Sequence, residues 1–331
     1  MSIITWSGLI DVHVHLREPG ATHKENFLTG SQAAKAGGFS FIIDMPNNPL
    51  PTLTMARLKE KMKLSRKAVC KIGFHFGTNG LNLKEFPAAA KHPRVFGLKL
   101  YCNHTTGEML IEDINLLTKV FAAWLKPKPI LVHAEGEQLK MAIALGKQFN
   151  RNLHVCHISL KKEVEWVRQA KTAGQKITAG VTPHHLFLKQ GAAVMKPPLG
   201  SLNDQSVLWQ GLKDGTIDLI ESDHAPHTKE EKESPARLAS ESVAGRPAFG
   251  VPGLETTLGL MLLGVKQKKC TLNQVKKWLY DNPKKIFNIP DQKTKIKFDP
   301  NLPWIVKNSE LKTKCGWSPF NNWRLYGKVI I

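Results

Sequence analysis

The sequence of 331 residues predicts an α/β fold: a (β/α)8 barrel with a short C-terminal extension packed on it. Apolar, β-branched runs alternate with longer stretches of helical period, which is typical of a parallel sheet buried on both faces. There are eight such runs, the number that closes a barrel of about 250 residues. The runs are LIDVHVHL (9–16), FSFIIDMP (39–46), CKIGFHFG (70–77), VFGLKLY (95–101), ILVHA (130–134), LHVCHIS (153–159), KITAGVTP (176–183) and IDLIESDH (217–224).

Three intervening stretches have a clear helical period: 56–68, 111–126 and 161–174. Glycines at 37–38 and 174 stand where helix C-caps belong. The rival fold is an open doubly wound sheet, but no GxGxxG follows the first run, which disfavours its dinucleotide-binding form. We expect one domain over residues 1–331, with the barrel at about 8–288 and the extension at about 289–331.

Composition narrows the class of protein. Hydrophobic residues make up 42% and charged residues 22% of the chain, as in a globular domain. There is no apolar run long enough for a membrane span, and the first residues do not resemble a secretory signal. The five cysteines are scattered and form no CxxC pair, which favours the reducing cytoplasm over a disulfide framework.

The net charge is +20, and a strongly basic chain can attract nucleic acid or an anionic membrane. Here the lysines are spread through predicted helices, as in 58–67 and 161–171, and no basic tract is interleaved with aromatic residues. We therefore interpret the charge as solvated helix faces and expect neither a nucleic-acid nor a membrane partner.

Polar side chains collect where the predicted strands end. In a parallel barrel the carboxyl ends of the strands surround the active site, so these side chains are the candidate site. The candidates, in strand order, are His13, His15, Asn47, Lys99, His133, His157 and Asp223.

His13 and His15 are two residues apart, so on a strand they point to the same face. A single buried histidine is usually a satisfied core residue. Two on one face, with two more histidines and an aspartate at the same height on other strands, predict a metal site. Imidazole and carboxylate ligands suit zinc and related divalent ions.

Lys99 is the exception in this set, because an ammonium group has donors and no lone pair. Its side chain either extends outward to solvent or is modified into an anion. A carbamate formed with CO2 would supply two oxygens that bridge two cations. The spacing of the residues leaves both alternatives open.

Motifs along nearly the whole chain resemble the cyclic amidohydrolases, and within them the dihydroorotase family. The closest likeness is to the dihydroorotase domain of the animal multifunctional pyrimidine-synthesis protein. The pair HVHLREPG and SDHAPHT is the most specific. The other blocks are MPN (45–47), GLKLY (97–101), VHAE (132–135), CHIS (156–159), PHHLFL (183–188) and VPGLET (251–256).

The resemblance implies a zinc-dependent cyclic amidohydrolase with a binuclear zinc site. His13, His15 and Asp223 would hold the first ion, and His133 and His157 the second. Lys99, N-carboxylated as in the family, would bridge the two ions.

The implied reaction is the reversible cyclisation of N-carbamoyl-L-aspartate to L-dihydroorotate and water, in pyrimidine biosynthesis. Asp223 would take a proton from the attacking water and return it to the leaving ring nitrogen.

Both substrates carry a carboxylate away from the reacting carbonyl, and the guanidinium fork of Arg17 matches it. The resemblance adds Asn47 and His227 around that carboxylate. It also implies that Thr105 and Thr106 close over the bound substrate.

This chain departs from the family at several positions. The animal domain places an acidic residue in the seventh strand that holds a further zinc ion with the cysteine of the sixth. Here the matching residues are Gly180 and Cys156, so we expect no third metal and a packed thiol. Lys196 replaces an arginine or asparagine near the substrate, and the surface loop at 228–250 is longer than usual.

Two alternative functions follow from the same features. One is another cyclic amidohydrolase, of the dihydropyrimidinase or allantoinase type, which handles rings without the carboxylate. The other is a non-catalytic dihydroorotase-like scaffold, a class that loses metal ligands. Family analogy also predicts a homodimer, either free or as part of a multifunctional pyrimidine-synthesis protein or complex.

Overall fold

In the computed structural model, eight parallel strands, from Leu9–Val14 to Leu219–Ile220, follow one another around a barrel in chain order. The structure describes residues 3–105, 109–124, 127–233 and 248–330. A bridge between Val14 and His224 joins the first and last barrel strands. The strands are β1 Ile4–Ser7, β2 Leu9–Val14, β3 Phe39–Asp44, β4 Lys71–Gly77, β5 Val95–Tyr101, β6 Ile130–His133, β7 Leu153–Val155, β8 Ile177–Val181, β9 Leu219–Ile220, β10 Lys295–Phe298, β11 Pro303–Ile305 and β12 Arg324–Tyr326. The predicted (β/α)8 barrel is confirmed.

Helices cover the outside of the barrel. Each of the three stretches with a clear helical period contains a helix, and the one at 56–68 ends in a 3-10 turn at Ser65–Lys67. The helices are α1 Phe27–Ala36, α2 Met55–Leu64, α3 Phe86–Lys91, α4 Ile114–Ala123, α5 Glu137–Gln148, α6 Lys161–Thr172, α7 Pro183–Phe187, α8 Leu202–Asp214, α9 Lys229–Glu233, α10 Thr257–Lys266, α11 Leu272–Lys276 and α12 Asn282–Ile286. None of the helices in the described residues is long and apolar enough to span a membrane.

The barrel strands are apolar on both faces because both faces are covered. In β3, Ile42 packs in a large cluster with helix residues such as Leu58, whereas Phe41 and Ile43 pack in a second cluster with residues such as Leu131. The core therefore fixes the strand ends that carry the polar residues.

Gly38 follows α1 with a φ of 87°, a conformation that glycine adopts without steric penalty.

The C-terminal extension packs on the barrel, as predicted. Strand β10 pairs with β1 in antiparallel register, and the ring of Phe298 lies 4.9 Å from that of Trp6. Farther along, β11 and β12 pair with each other, and the indole of Trp317 donates a hydrogen bond to the carbonyl of His227 at 2.7 Å. The extension therefore contacts the segment that follows the last barrel strand.

The predicted loop at 228–250 begins with a helix, α9, instead of irregular chain. Residues 234–247 lie outside the described part of the chain. Lys232 in α9 donates hydrogen bonds to the carbonyls of Ala248 and Gly250, so the two described ends of this segment lie close together.

A buried ion pair supports the turn after β2. Lys61 reaches inward from α2, and its Nζ lies 2.7 Å from Oδ2 of Asp44 at the end of β3. Both side chains are buried, and Oδ1 of Asp44 accepts a hydrogen bond from the N–H of Leu16 at 2.8 Å. Burial raises the pKa of Asp44 and lowers that of Lys61, so each group depends on its partner to remain charged.

We predict that Lys61→Met destabilises the protein by about 3–5 kcal/mol, because Asp44 would remain as an uncompensated buried charge. Chemical denaturation followed by circular dichroism measures the change. Arg57→Ala is the matched control: it removes an exposed ion pair with Glu60 on the same helix and should cost less than about 1 kcal/mol. Equal effects of the two substitutions would contradict the structural role assigned to Lys61.

Candidate metal centre

The barrel places the predicted polar residues around one cavity at the carboxyl ends of its strands. His13 lies in β2 and His15 just after it, His133 ends β6, and His157 follows β7. All the described candidate ligands are buried. The cavity is lined by His13, His15, Arg17, Asn47, Tyr101, Thr105, His133, His157, Lys196, Asp223, Ala225, Phe249 and Gly250.

Three of the candidate ligands form a compact group. The Oδ1 atom of Asp223 lies 3.4 Å from Nε2 of His13 and 3.1 Å from Nε2 of His15. Asn47 approaches the other ring nitrogen of His15, with 2.8 Å between Nδ1 and its Oδ1. A carboxamide oxygen only accepts, so this contact places the proton of His15 on Nδ1 and leaves the Nε2 lone pair facing Asp223.

A second pair of imidazoles lies beside this group. Nδ1 of His133 is 3.1 Å from Nε2 of His157, and the two ring centroids are 4.8 Å apart. The ring of His157 is also 5.0 Å from the ring of His13. The two predicted ligand sets are therefore adjacent.

The charge state of the histidines suits a bound cation. Burial, followed by the ammonium of Lys99, lowers the pKa of His13 to about 4. Burial also lowers the pKa values of His15, His133 and His157. At neutral pH the imidazoles are uncharged, so each retains a nitrogen lone pair. Four neutral imidazoles around one buried carboxylate fit divalent metal ions.

Lys99 is buried and does not extend outward, which removes one of the two alternatives raised by the sequence. Its Nζ lies 3.1 Å from Sγ of Cys156 and 5.0 Å from the ring centre of Tyr101. Within the described residues, no carboxylate forms an ion pair with it. Lys99 therefore lies inside the barrel, and its modification to an anion stays a prediction.

The backbone is strained where several site residues attach. Arg17, His157 and Asp223 have φ values of 60°, 36° and 43°, in the left-handed region that residues with a Cβ seldom adopt. Such conformations persist where the surrounding structure holds them, and they cluster at functional sites. Here they turn the side chains into the cavity just beyond the strand ends.

Arg17 lies at the rim of the cavity, and its guanidinium is nearly buried. Its Nε donates to the carbonyl of Pro226 at 3.0 Å, and its Nη2 donates to Nε2 of His227 at 3.0 Å. Burial, and next the charge of Arg17, lowers the pKa of His227 to about 3, so this imidazole is neutral. Arg17 is thus held in place from one side with its charge retained.

Two further residues predicted to bind substrate are Thr105 and Thr106. Thr105 lines the cavity together with Asn47 and Arg17. Thr106 lies outside the described residues. Lys196, at the position that differs from the family, also lines the cavity and adds a second cation to it.

Glu221 was not predicted from the sequence. Its carboxylate is fully buried next to Gly180, where an added Cβ would lie 2.7 Å from Cδ of Glu221. His13, Cys156 and Glu221 offer ligand atoms that all lie within 4.8 Å of one another. We expected no third metal because position 180 has no acid. Glu221 nevertheless supplies a carboxylate close to Cys156. The number of metals therefore stays a prediction.

Tyr101 was also missed, although it lies two residues after Lys99 and therefore faces the same side of β5. Its hydroxyl is buried and has no hydrogen-bond partner among the described residues. The same spacing relates Glu221 to Asp223, so the i, i+2 rule that identified His13 and His15 could have identified both.

Comparison with known proteins gives a consistent picture. Residues 6–181 match the model of the amidohydrolase family. The chain is 37% identical to multifunctional protein pyr1-3 of Dictyostelium discoideum over 99% of its own length but only 15% of that protein. It is 38% identical to a dihydroorotase of Listeria monocytogenes, with 86% of this chain and 73% of the relative covered.

Among solved structures, the L-hydantoinase (dihydropyrimidinase) of Arthrobacter aurescens superposes with a TM-score of 0.88. The sequences are 24% identical, and the match covers 98% of this chain and 82% of that one. At this identity the likeness establishes the fold alone. From the family match and the relatives together, the chain belongs to the amidohydrolase family, within its dihydroorotase group.

Proposed function

We propose that the protein is a dihydroorotase that interconverts N-carbamoyl-L-aspartate and L-dihydroorotate plus water. One observation supports this most strongly: the buried guanidinium of Arg17 lines the same cavity as the histidines and Asp223. A metal centre alone would suit any cyclic amide hydrolase. A fixed cation beside it adds a binding site for a substrate carboxylate.

We propose that the metals are two zinc ions. His13, His15 and Asp223 would hold one ion, and His133 and His157 the other. Lys99, N-carboxylated, would bridge them, because a carbamate converts a buried cation into an anion with two oxygen donors. When bound, such a pair of ions lowers the pKa of a water and polarises a carbonyl group.

The proton transfers of the reaction would be carried out by Asp223. Asp223 is placed to accept a proton from the attacking water, and its buried carboxylate can then deliver that proton to the ring nitrogen as it leaves. In the direction of ring closure the same carboxylate removes the proton from the nitrogen. Burial raises the pKa of Asp223.

The substrate would be oriented from the rim of the cavity. Arg17 would pair with the carboxylate remote from the reacting carbonyl. The carboxamide of Asn47 would donate a hydrogen bond to the same group, and the imidazole of His227 would lie beside it and hold Arg17 in place. Thr105 and Thr106 would close over the bound molecule.

Two alternatives are less well supported. A dihydropyrimidinase or allantoinase needs the metals but has no use for a buried arginine at the rim. A non-catalytic dihydroorotase-like scaffold has no need for the ligands, whereas here all six positions are filled.

We further propose, from family resemblance, a cytoplasmic homodimer that works either alone or within a multifunctional pyrimidine-synthesis assembly. The chain spans about 15% of the length of its multifunctional relative. The proposed function is the dihydroorotase reaction alone and does not include the other activities of that relative.

We predict that the purified protein contains about two zinc ions per chain and interconverts the two substrates. Elemental analysis and a spectrophotometric assay on the same sample test both parts. Bound metal with no turnover of either substrate, but with hydrolysis of a hydantoin or allantoin, would favour another cyclic amidohydrolase. Protein without metal would favour the scaffold.

Arg17→Ala should lower kcat/KM by roughly 30- to 4,000-fold, since losing one partner of a buried charged pair costs about 2–5 kcal/mol. Arg17→Lys should recover little of the loss, because an ammonium cannot reproduce the fork. Steady-state kinetics measure the effect, and the metal content should match that of the wild type. Loss of metal in Arg17→Ala would mean that Arg17 supports the metal centre instead.

If Lys99 is carboxylated as proposed, the apoprotein should need CO2 as well as zinc to regain activity. Reconstitution with zinc should be faster with bicarbonate than in CO2-depleted buffer. In Lys99→Ala the metal content should fall and bicarbonate should have no effect. The same recovery rate in both buffers would argue against a carbamate at Lys99.

A further inference from the structure

Glu221 has contacts with residues of both proposed ligand sets. Its carboxylate accepts a hydrogen bond from the backbone N–H of His157. Its Oε2 lies 3.4 Å from Nδ1 of His13 and 3.5 Å from Nε2 of His154. One buried carboxylate thus lies against a ligand of the first ion and the backbone of a ligand of the second.

The space for this carboxylate is made by a neighbouring strand. Gly180 lies in β8, which pairs with β9 just before Glu221. A Cβ at position 180 would lie 2.7 Å from Cδ and 2.8 Å from Oε1 of Glu221, closer than real Cβ contacts. Glycine at 180 is therefore what allows the carboxylate to reach His13.

Three buried atoms lack hydrogen bonds where Glu221 approaches His13 and His154. Nδ1 of His13, Nε2 of His154 and Oε2 of Glu221 are buried, and none has a partner with hydrogen-bond geometry among the described residues. Nδ1 of His13 and Oε2 of Glu221 are 3.4 Å apart. A small rotation of the imidazole or of the carboxylate would form a hydrogen bond between them. Because a carboxylate only accepts, that bond would place the proton of His13 on Nδ1 and leave its Nε2 lone pair toward Asp223.

We propose that Glu221 is a positioning residue for the metal centre: it fixes the tautomer and orientation of His13 and holds the backbone at His157. Histidine ligands commonly donate their second ring nitrogen to a carboxylate, which fixes the ring and strengthens it as a ligand. The proposal rests on the two-metal site proposed above and adds to it a carboxylate from the last barrel strand.

The experiment compares metal retention in the wild-type holoprotein, Glu221→Gln, Gly180→Ala and Glu163→Gln. Metal per chain is measured after dialysis against increasing concentrations of a zinc chelator. Glu163 is the matched control, because its buried carboxylate accepts hydrogen bonds from the N–H groups of Ser159 and Leu160 and contacts no proposed ligand.

Glu221→Gln should weaken zinc retention by about 10- to 100-fold, the usual effect of losing a carboxylate behind a ligand. At saturating zinc, kcat should fall while KM changes by less than about twofold, because Glu221 does not touch the substrate. Gly180→Ala should weaken retention in the same direction by displacing the carboxylate, and it carries the test if Glu221→Gln does not fold. Glu163→Gln should lower the melting temperature and leave zinc retention unchanged.

Two results would overturn the proposal. Unchanged zinc retention in both Glu221→Gln and Gly180→Ala would reduce Glu221 to a packing role. Three ions in the wild type and two in Glu221→Gln, the two being held as tightly as before, would make Glu221 a ligand of a third ion with Cys156. Wild-type protein without metal would instead contradict the proposed function, and that result is seen before any variant is made.

Discussion

The contact between the first and last barrel strands is the constraint on which the site depends. Val14 and His224 form the bridge that joins them, and the N–H of His15 donates to the carbonyl of His224 at 2.8 Å. Asp11 extends the junction, since its carboxylate accepts hydrogen bonds from the N–H groups of His13 and Ser222. Groups more than 200 residues apart in the chain become neighbours only because the barrel closes here, and the histidine pair meets Asp223 at this point.

Closing the barrel buries many ionisable groups in one small volume, which requires that their charges be balanced. Burial raises the pKa of Asp11 to about 7 and lowers those of the cavity histidines, so desolvation acts against charge on both types of group. Lys99 lies buried at the centre and forms no ion pair with a carboxylate among the described residues. A carbamate at Lys99 and two divalent cations would replace this imbalance with alternating charges. The proposed metals would then also complete the electrostatics of the fold.

Sequence patterns predicted the strands, their order and the polar residues that meet at the strand ends because these follow local rules. Period-2 and period-3.6 patterns report burial along one element, and the barrel rule then places the strand ends together. The Lys61–Asp44 pair was not predictable, since it depends on how far α2 leans over the strand ends. The spacing of two residues to Asp223 could have marked Glu221 as facing the cavity, but no single-strand pattern reports the space that Gly180 leaves for it in the adjacent strand.

The barrel core supports one side of the cavity, and the C-terminal extension supports the other. The side with the four histidines and Asp223 is built from strand ends, which the barrel core holds directly. The side with Arg17 and His227 is built from turns after β2 and β9, and turns have no ladder of their own. The extension supplies partners there: Trp317 donates to the carbonyl of His227, and Thr313 donates to the buried Glu25 at 2.6 Å. Since Oε2 of Glu25 also lies 3.4 Å from Nε2 of His224, the last segment of the chain stabilises the same junction that creates the site.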